Sequence, residues 1–262
     1  MNLPSPRRQQ RVNYDDIAHL YDEPVRDYDV DSNLLGFLGE QPARRTSGIR
    51  VLDTGCGTGK QLAANCRAFP DGLMVGLDLF HGMLRQARRR CPTVGWVQGN
   101  SARPPLKDAS FDYITNQFSY HHVLDKPRMI VEISRVLSSG GRFVMTNLDP
   151  WSMPGWIGYT YFPAGRQRDI EDFLPVEDFA ALMTKAGFSS IQISRRHWQE
   201  KENLKHFFEY ASQRYHTSQL MAISDGDFEA GIARLAEDVE KSGDAACVDS
   251  EICLVTVIGD KR

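Results

Sequence analysis

The chain has 262 residues, 41% of them apolar and 25% charged, with a formal net charge of −3. This suits one sizeable α/β core with an elaboration, and it provides no global field to attract nucleic acid or an anionic membrane. No apolar run approaches the ~20 residues that cross a bilayer, and five cysteines without a C-x-x-C pair argue against a disulfide framework or a zinc knuckle. MNLPSPRRQQ also lacks the apolar stretch of a signal peptide, so the expectation is a soluble, cytoplasmic protein.

In chain order, residues 1 to 13 read as a disordered start, and the rest as one domain over 14–262. YDDIAHLYDEPV, from Tyr14, predicts a short helix, and DSNLLGFLGE a second one capped at Asp31 or Ser32; together they form an N-terminal cap over 14–45. IRVLDT is then a buried strand ending at an acid, followed by a helix that begins at Lys60 with Leu62, Cys66 and Phe69 at helical spacing. LMVGLD predicts the second strand, and the next helix carries Met83, Leu84 and Ala87 inward with arginines outward. VGWVQGN and FDYITNQ are strands three and four. Asp125 to Leu137 is a helix stopped by SSGG, and RFVMTN is strand five. Strands apolar on both faces, alternating with helices, mean a mainly parallel sheet covered on both sides.

Beyond strand five, LDPWSMPGWIGYTYFPAG reads as a loop rich in aromatics. A helix from about Pro175 to Gly187 and the strand SIQISRR follow. Helical stretches near Lys201–Tyr215 and Asp225–Lys241 precede the last strand, EICLVTVIG. That spacing is too long for a hairpin and predicts a helical insertion over 197–250.

The stretch VLDTGCGTGK puts Gly55, Gly57 and Gly59 between a buried strand and a helix, where a tight turn can bring backbone against a ligand. The phosphate-loop pattern fails here, because Thr54 stands where glycine and Gln61 where Ser or Thr is needed. The dinucleotide pattern fails by one residue, and Asp53 beside the loop suits an ammonium group better than a pyrophosphate. Asp78, ending strand two, is placed to accept two ribose hydroxyls. Asn100, ending strand three, can accept from an adenine amino group, with the N–H of Ser101 or Ala102 near a ring nitrogen. Asn116, Gln117 and Phe118 open the floor at the end of strand four.

With these pieces in order, the chain resembles the class I S-adenosylmethionine-dependent methyltransferases, in the small-molecule group that includes quinone C-methyltransferases. The resemblance rests on YDDIAHLYD, VLDTGCGTGK, VGLDLFHGML, QGNSARPPLKDASFDYI and FSYHHVLD through EISRVLSSGGRFVMTN, covering residues 14 to 147. It implies a Rossmann-like fold, a seven-stranded, mainly parallel sheet with an antiparallel last strand, helices on both faces and a helical lid. It implies S-adenosylmethionine as cofactor and methyl transfer to O, N or C of a small molecule. Asp53, Gly55 and Gly57 would hold the methionine end, with Asn116 beside them, and Asp78 the ribose. Leu79 and Met83 would flank the adenine, Asn100 and Ser101 would read its edge, and Tyr14 and Tyr21 would close the site. The family usually has Asp-Ala where this chain has Asn100-Ser101.

On the acceptor side, His121 and His122 follow strand four, where a histidine of near-neutral pKa suits a general base, and His121 is favoured. Trp151, Trp156, Tyr159 and Tyr161 are candidates for an acceptor pocket, and Arg166 for an acceptor carboxylate. Either set also fits a plain structural role. The expected partner is a small-molecule acceptor, with no metal, nucleic acid or membrane, in a monomer or homodimer. The alternatives are an RNA methyltransferase, a nicotinamide-dependent oxidoreductase, and a cofactor-binding protein without turnover.

Overall fold

The structure, a computed structural model, describes residues 12–21, 28–41 and 48–262. The expected disordered start up to residue 11, the end of the first helix and the Arg44–Arg45 pair lie outside those residues. Residues 14–21 form a series of turns where a helix is predicted. At their start the Asn13 Oδ1 accepts the Asp15 N–H at 3.2 Å and its Nδ2 donates to Asp16 Oδ2 at 3.0 Å. Helix α1, Ser32–Glu40, starts where expected, with Asp31 accepting from the Asn33 N–H.

The chain then alternates through β1 (Arg50–Thr54), α2 (Lys60–Ala68), β2 (Leu73–Asp78), α3 (His81–Arg90), β3 (Gly95–Gln98) and β4 (Phe111–Gln117). A 3₁₀ turn at Tyr120–His122 leads to α4 (Lys126–Val136), whose N-cap Asp125 accepts from the Arg128 N–H, and to β5 (Leu137–Leu148). The seven strands lie in the order β3-β2-β1-β4-β5-β7-β6. Strands β1 to β5 pair in parallel, and β7 (Cys247–Lys261) runs antiparallel between β5 and β6 (Phe188–Asn203). This is the predicted Rossmann-like sheet with its reversed last strand.

Strand side chains alternate between two cores, as a pleated sheet requires. Leu52, Leu77, Ile114 and Phe143 pack on one face with Met129, Ile133 and Phe179. Val51, Met74, Tyr113 and Val144 pack on the other with Leu34, Phe37 and Leu62. Each large side chain so buried stabilises the fold by about 1.5–3 kcal/mol. Charge pairs staple the amino edge of the sheet, where Arg142 reaches Asp260 at 2.7 Å and Glu40 at 2.8 Å, and Arg50 reaches Asp112 at 2.7 Å. The carboxyl edge is left open. There β1 and β4 lead away in opposite directions, which creates a crevice at the switch in strand order.

Two sequence expectations change after β5. The aromatic segment is not a loop: it folds into α5 (Ile157–Tyr161) and α6 (Pro163–Asp172), ahead of α7 (Val176–Lys185). Strand β6 runs on to Asn203, paired with β7 down to Cys247, so the helical part of the insertion spans 204–246 rather than 197–250. It holds α8 (Leu204–Ser212), α9 (Ser218–Ala222) and α10 (Asp225–Ser242). Leu204, Phe207 and Ala211 pack with Ile157, Phe162 and Leu235 into a core of its own. Among the described residues no helix is long and apolar enough to cross a membrane.

Candidate functional site: an acidic cleft at the sheet's carboxyl edge

The turn from β1 into α2 forms one wall of the crevice. Gly55 has φ +74, and a Cβ there would lie 2.2 Å from Ser119 Oγ. Gly57 has φ +53, and a Cβ there would meet no protein atom within 4 Å. One glycine thus lets two chain segments touch, and the other leaves bare backbone facing the open cleft.

Asp53 and Asp78 stand on either side of this turn, both buried and both lining the cleft. The Asp78 oxygens accept from the backbone N–H groups of Gly57 at 2.8 Å and Phe80 at 2.9 Å. Burial raises its pKa, against the pull of those N–H donors. Asp53 is differently placed, because its Oδ1 is buried with no partner. Burial first, then the charges of Asp31 and Asp78, pushes its carboxyl up to about 8. An orphaned buried carboxylate among other acids is expensive unless a cation joins it. Among the described residues no group of His, Cys, Asp and Glu could hold a metal ion. The residues present fit an organic ammonium at Asp53 and a diol at Asp78, the donor set that the expected nucleoside cofactor would need.

Leu79, Met83, Asn100, Ser101, Tyr14 and Tyr21 all line the same cleft, together with Gly55 and Gly57. Met83 is buried against Tyr14 and Ala18, whereas Leu79 and Tyr21 are exposed. Asn100 is exposed, and its oxygen accepts the Ala102 N–H at 2.8 Å. Asn116 does not reach the cleft surface. Fully buried, it donates to Thr54 O at 2.7 Å and Ser119 Oγ at 2.7 Å, bracing the glycine turn from behind.

The two histidines separate. His121 is buried away from the cleft, stacked on Phe173 with centroids 4.3 Å apart, and its Nδ1 lies 3.1 Å from Asn147 Nδ2. Burial, then His122 and Lys126, holds its pKa well below the ordinary value. The favoured candidate for general base therefore has no path to an acceptor, because alternation along the 3₁₀ turn aims it at the core. His122 does line the cleft, with Nε2 2.9 Å from the Tyr14 hydroxyl. Burial and then Lys126 lower its pKa to about 4, so it is neutral rather than poised near 7.

The aromatic candidates do not gather in the cleft. Tyr159 is buried and donates to Asp169 at 2.6 Å, and Tyr161 is buried and donates to Asp238 at 2.8 Å. Trp156 packs edge-on against Tyr159, and Trp151 and Arg166 are exposed elsewhere. Gln117 and Phe118 line the cleft as expected, and Tyr28, Cys56, Thr58, Lys60, Gln61, Phe80, Ser119, Val123 and Leu124, which escaped the sequence reading, complete the lining among the described residues. Of these, Lys60 and Ser119 carry the one usable signal: Lys60 opens α2 just past the glycine turn, and Ser119 lies two residues past the end of β4.

A family model described as a methyltransferase domain matches residues 52–145. A demethylmenaquinone methyltransferase of Symbiobacterium thermophilum is 30% identical over 202 residues, 70% of this chain and 74% of that protein. One from Beutenbergia cavernae is 31% identical over 163 residues, 59% of this chain, and the chain spans 65% of that relative's length. Among solved structures, phosphoethanolamine N-methyltransferase 2 of Haemonchus contortus, in complex with phosphomonomethylethanolamine and S-adenosylhomocysteine, matches with a TM-score of 0.58 at 19% identity. That match covers 96% of this chain and 58% of the other. The YcgJ protein of Bacillus subtilis matches with a TM-score of 0.58 at 20% identity, covering 87% of this chain and 99% of that one. At such identities the structural likeness is one of fold.

Proposed function

The chain belongs to the class I S-adenosylmethionine-dependent methyltransferases, enzymes of small-molecule methylation, and from that premise we propose how its own residues hold the cofactor and receive the acceptor. When bound, S-adenosylmethionine supplies a methyl group on a positively charged sulfur, activated for in-line displacement. The observation that carries the assignment is the unpartnered Oδ1 of Asp53, buried beside an open glycine turn. In this reading Asp53 takes the ammonium, and the bare backbone at Gly55 and Gly57 lies along the methionine portion. Asp78 takes the ribose hydroxyls on the lone pairs its two backbone donors leave free. Leu79 and Met83 flank the adenine, and Ser101 donates to its edge. Tyr14 and Tyr21 cover the site.

The acceptor enters beside His122 and Tyr14. A histidine held near pKa 4 is a weak base, and its Nε2 is taken by the Tyr14 hydroxyl at 2.9 Å, so in this reading the Tyr14 oxygen, held by His122, orients a hydroxyl or amine toward the methyl group. The relatives' names raise a quinol-type acceptor as one candidate within this class. An RNA acceptor is not favoured, because Lys60 is the one permanently cationic side chain among the described cleft residues. Calorimetric titration with S-adenosylmethionine, S-adenosylhomocysteine and NAD tests the reading. Micromolar binding of the first two without NAD supports it, and binding of NAD alone would overturn it.

A further inference from the structure

We propose that Phe118 selects the methyl acceptor, its ring forming a flat apolar wall for an uncharged, ring-bearing molecule; this rests on the cofactor reading of the same cleft. Among the described residues three that are not glycine have φ in the left-handed region: Ala109, Phe118 at φ +51, and Ser190. Ala109 is small and sits in a turn, and Ser190 sits where the β6 register shifts. Phe118 is the bulky one, and a bulky residue in that region is a marked outlier. Where such strain persists, the surroundings over-determine it and a function is the usual reason.

The surroundings here do over-determine it. The Phe118 N–H donates to Thr146 O at 3.0 Å, fixing the residue to β5. The next residue, Ser119, accepts from Asn116 Nδ2 at 2.7 Å and donates to Thr54 O at 3.1 Å, in the space Gly55 leaves. The left-handed backbone turns the ring outward instead of into a core. It is 46% exposed, lines the cleft, and belongs to none of the apolar clusters. Leu124, 53% exposed on the same cleft, extends the wall. Core packing therefore does not account for the conformation, whereas a ligand's ring laid on Phe118 would.

Charge narrows the ligand. The acids of the cleft, Asp53 and Asp78, belong to the cofactor end, and His122 is neutral. No arginine lines the cleft among the described residues, and Lys60 follows the glycine turn, over the Tyr28 ring. With S-adenosylhomocysteine, whose sulfur is neutral, a phosphate or carboxylate laid on Phe118 would thus exchange water for an apolar ring with no cationic side chain to compensate among the described residues there. An uncharged ring is not penalised in this way.

The test uses protein saturated with S-adenosylhomocysteine and three probes: 1-naphthol, 1-hydroxy-2-naphthoate and phosphoethanolamine. The parent should bind 1-naphthol at least tenfold more tightly than the other two. Phe118→Ala should weaken 1-naphthol at least tenfold with S-adenosylhomocysteine affinity within twofold, and Phe118→Tyr should restore it. Phe118→Gly, which suits the backbone, should lose the same affinity while melting within a few degrees of the parent. Undiminished naphthol binding by Phe118→Ala, or preference for either anion, overturns the proposal. If the parent fails to bind S-adenosylhomocysteine at all, the cofactor reading falls and takes this one with it.

Discussion

The Tyr14 hydroxyl lies 2.9 Å from Nε2 of His122, a residue 108 positions away, with the two rings edge to face at 5.3 Å. This contact joins the N-terminal segment to the turn after β4, and it closes the cleft where the acceptor is expected. Tyr14 also packs edge-on against Phe80 at 5.4 Å and Tyr21 at 5.8 Å, so one ring ties the segment after β2 to the turn after β4.

If the pair orients the acceptor, His122→Ala and Tyr14→Phe should each lower kcat by roughly tenfold, about the worth of one hydrogen bond. The double variant should be little worse than either, since both remove the same contact. Because His122 stays neutral down to about pH 4, kcat should show no histidine-like step between pH 7 and 6. Fully additive losses, or a step near pH 6.5, would disprove the orienting role. His121→Ala should instead lower stability by about 2 kcal/mol, the order of a buried large-to-small change.

If Asp53 takes the cofactor's ammonium, binding should be a proton-coupled event. Its folded pKa is raised from 3.8 to about 8, so its contribution to stability is complete below the unfolded value and is lost as pH rises through about 8. At pH 7 the free protein therefore holds a proton there, and an incoming ammonium should release up to about one. Calorimetry in buffers of different ionisation enthalpy reads this directly. A binding enthalpy independent of buffer at pH 7 would mean that no cation meets Asp53, and Asp53→Asn should abolish the dependence.

Asp78 can be tested by binding alone. Asp78→Ala removes charge-assisted acceptors for two hydroxyls and should weaken S-adenosylhomocysteine by at least roughly tenfold. The circular dichroism spectrum should be retained. Unchanged affinity would refute the ribose assignment.

The two glycines should part company. Gly55→Ala forces a Cβ to 2.2 Å from Ser119 Oγ and should cost about 1–3 kcal/mol of stability. Gly57→Ala meets no protein atom within 4 Å, so it should fold with a smaller loss but weaken the cofactor at least roughly tenfold. Equal effects of both variants on binding and on melting temperature would contradict the cradle geometry.

The alternation of apolar strands and amphipathic helices determined the sheet, and with it the strand ends at which Asp53, Asp78, Asn100 and the glycine turn meet. These are local properties: the residues lie within a few positions of strand ends, and period and turn chemistry place them without knowledge of distant neighbours. The acceptor side was decided by tertiary structure. His121 and His122 are adjacent in sequence and indistinguishable by type, yet the 3₁₀ turn after β4 sends one against Phe173 and the other to Tyr14. Tyr159 and Tyr161 looked free for a ligand until α5 set them against Asp169 of α6 and Asp238 of α10. Phe118 projects into the cleft because Thr146, Asn116 and Thr54 hold its neighbourhood from three strands. Direction and partnership depend on contacts between residues tens of positions apart, which no local pattern in the chain encodes.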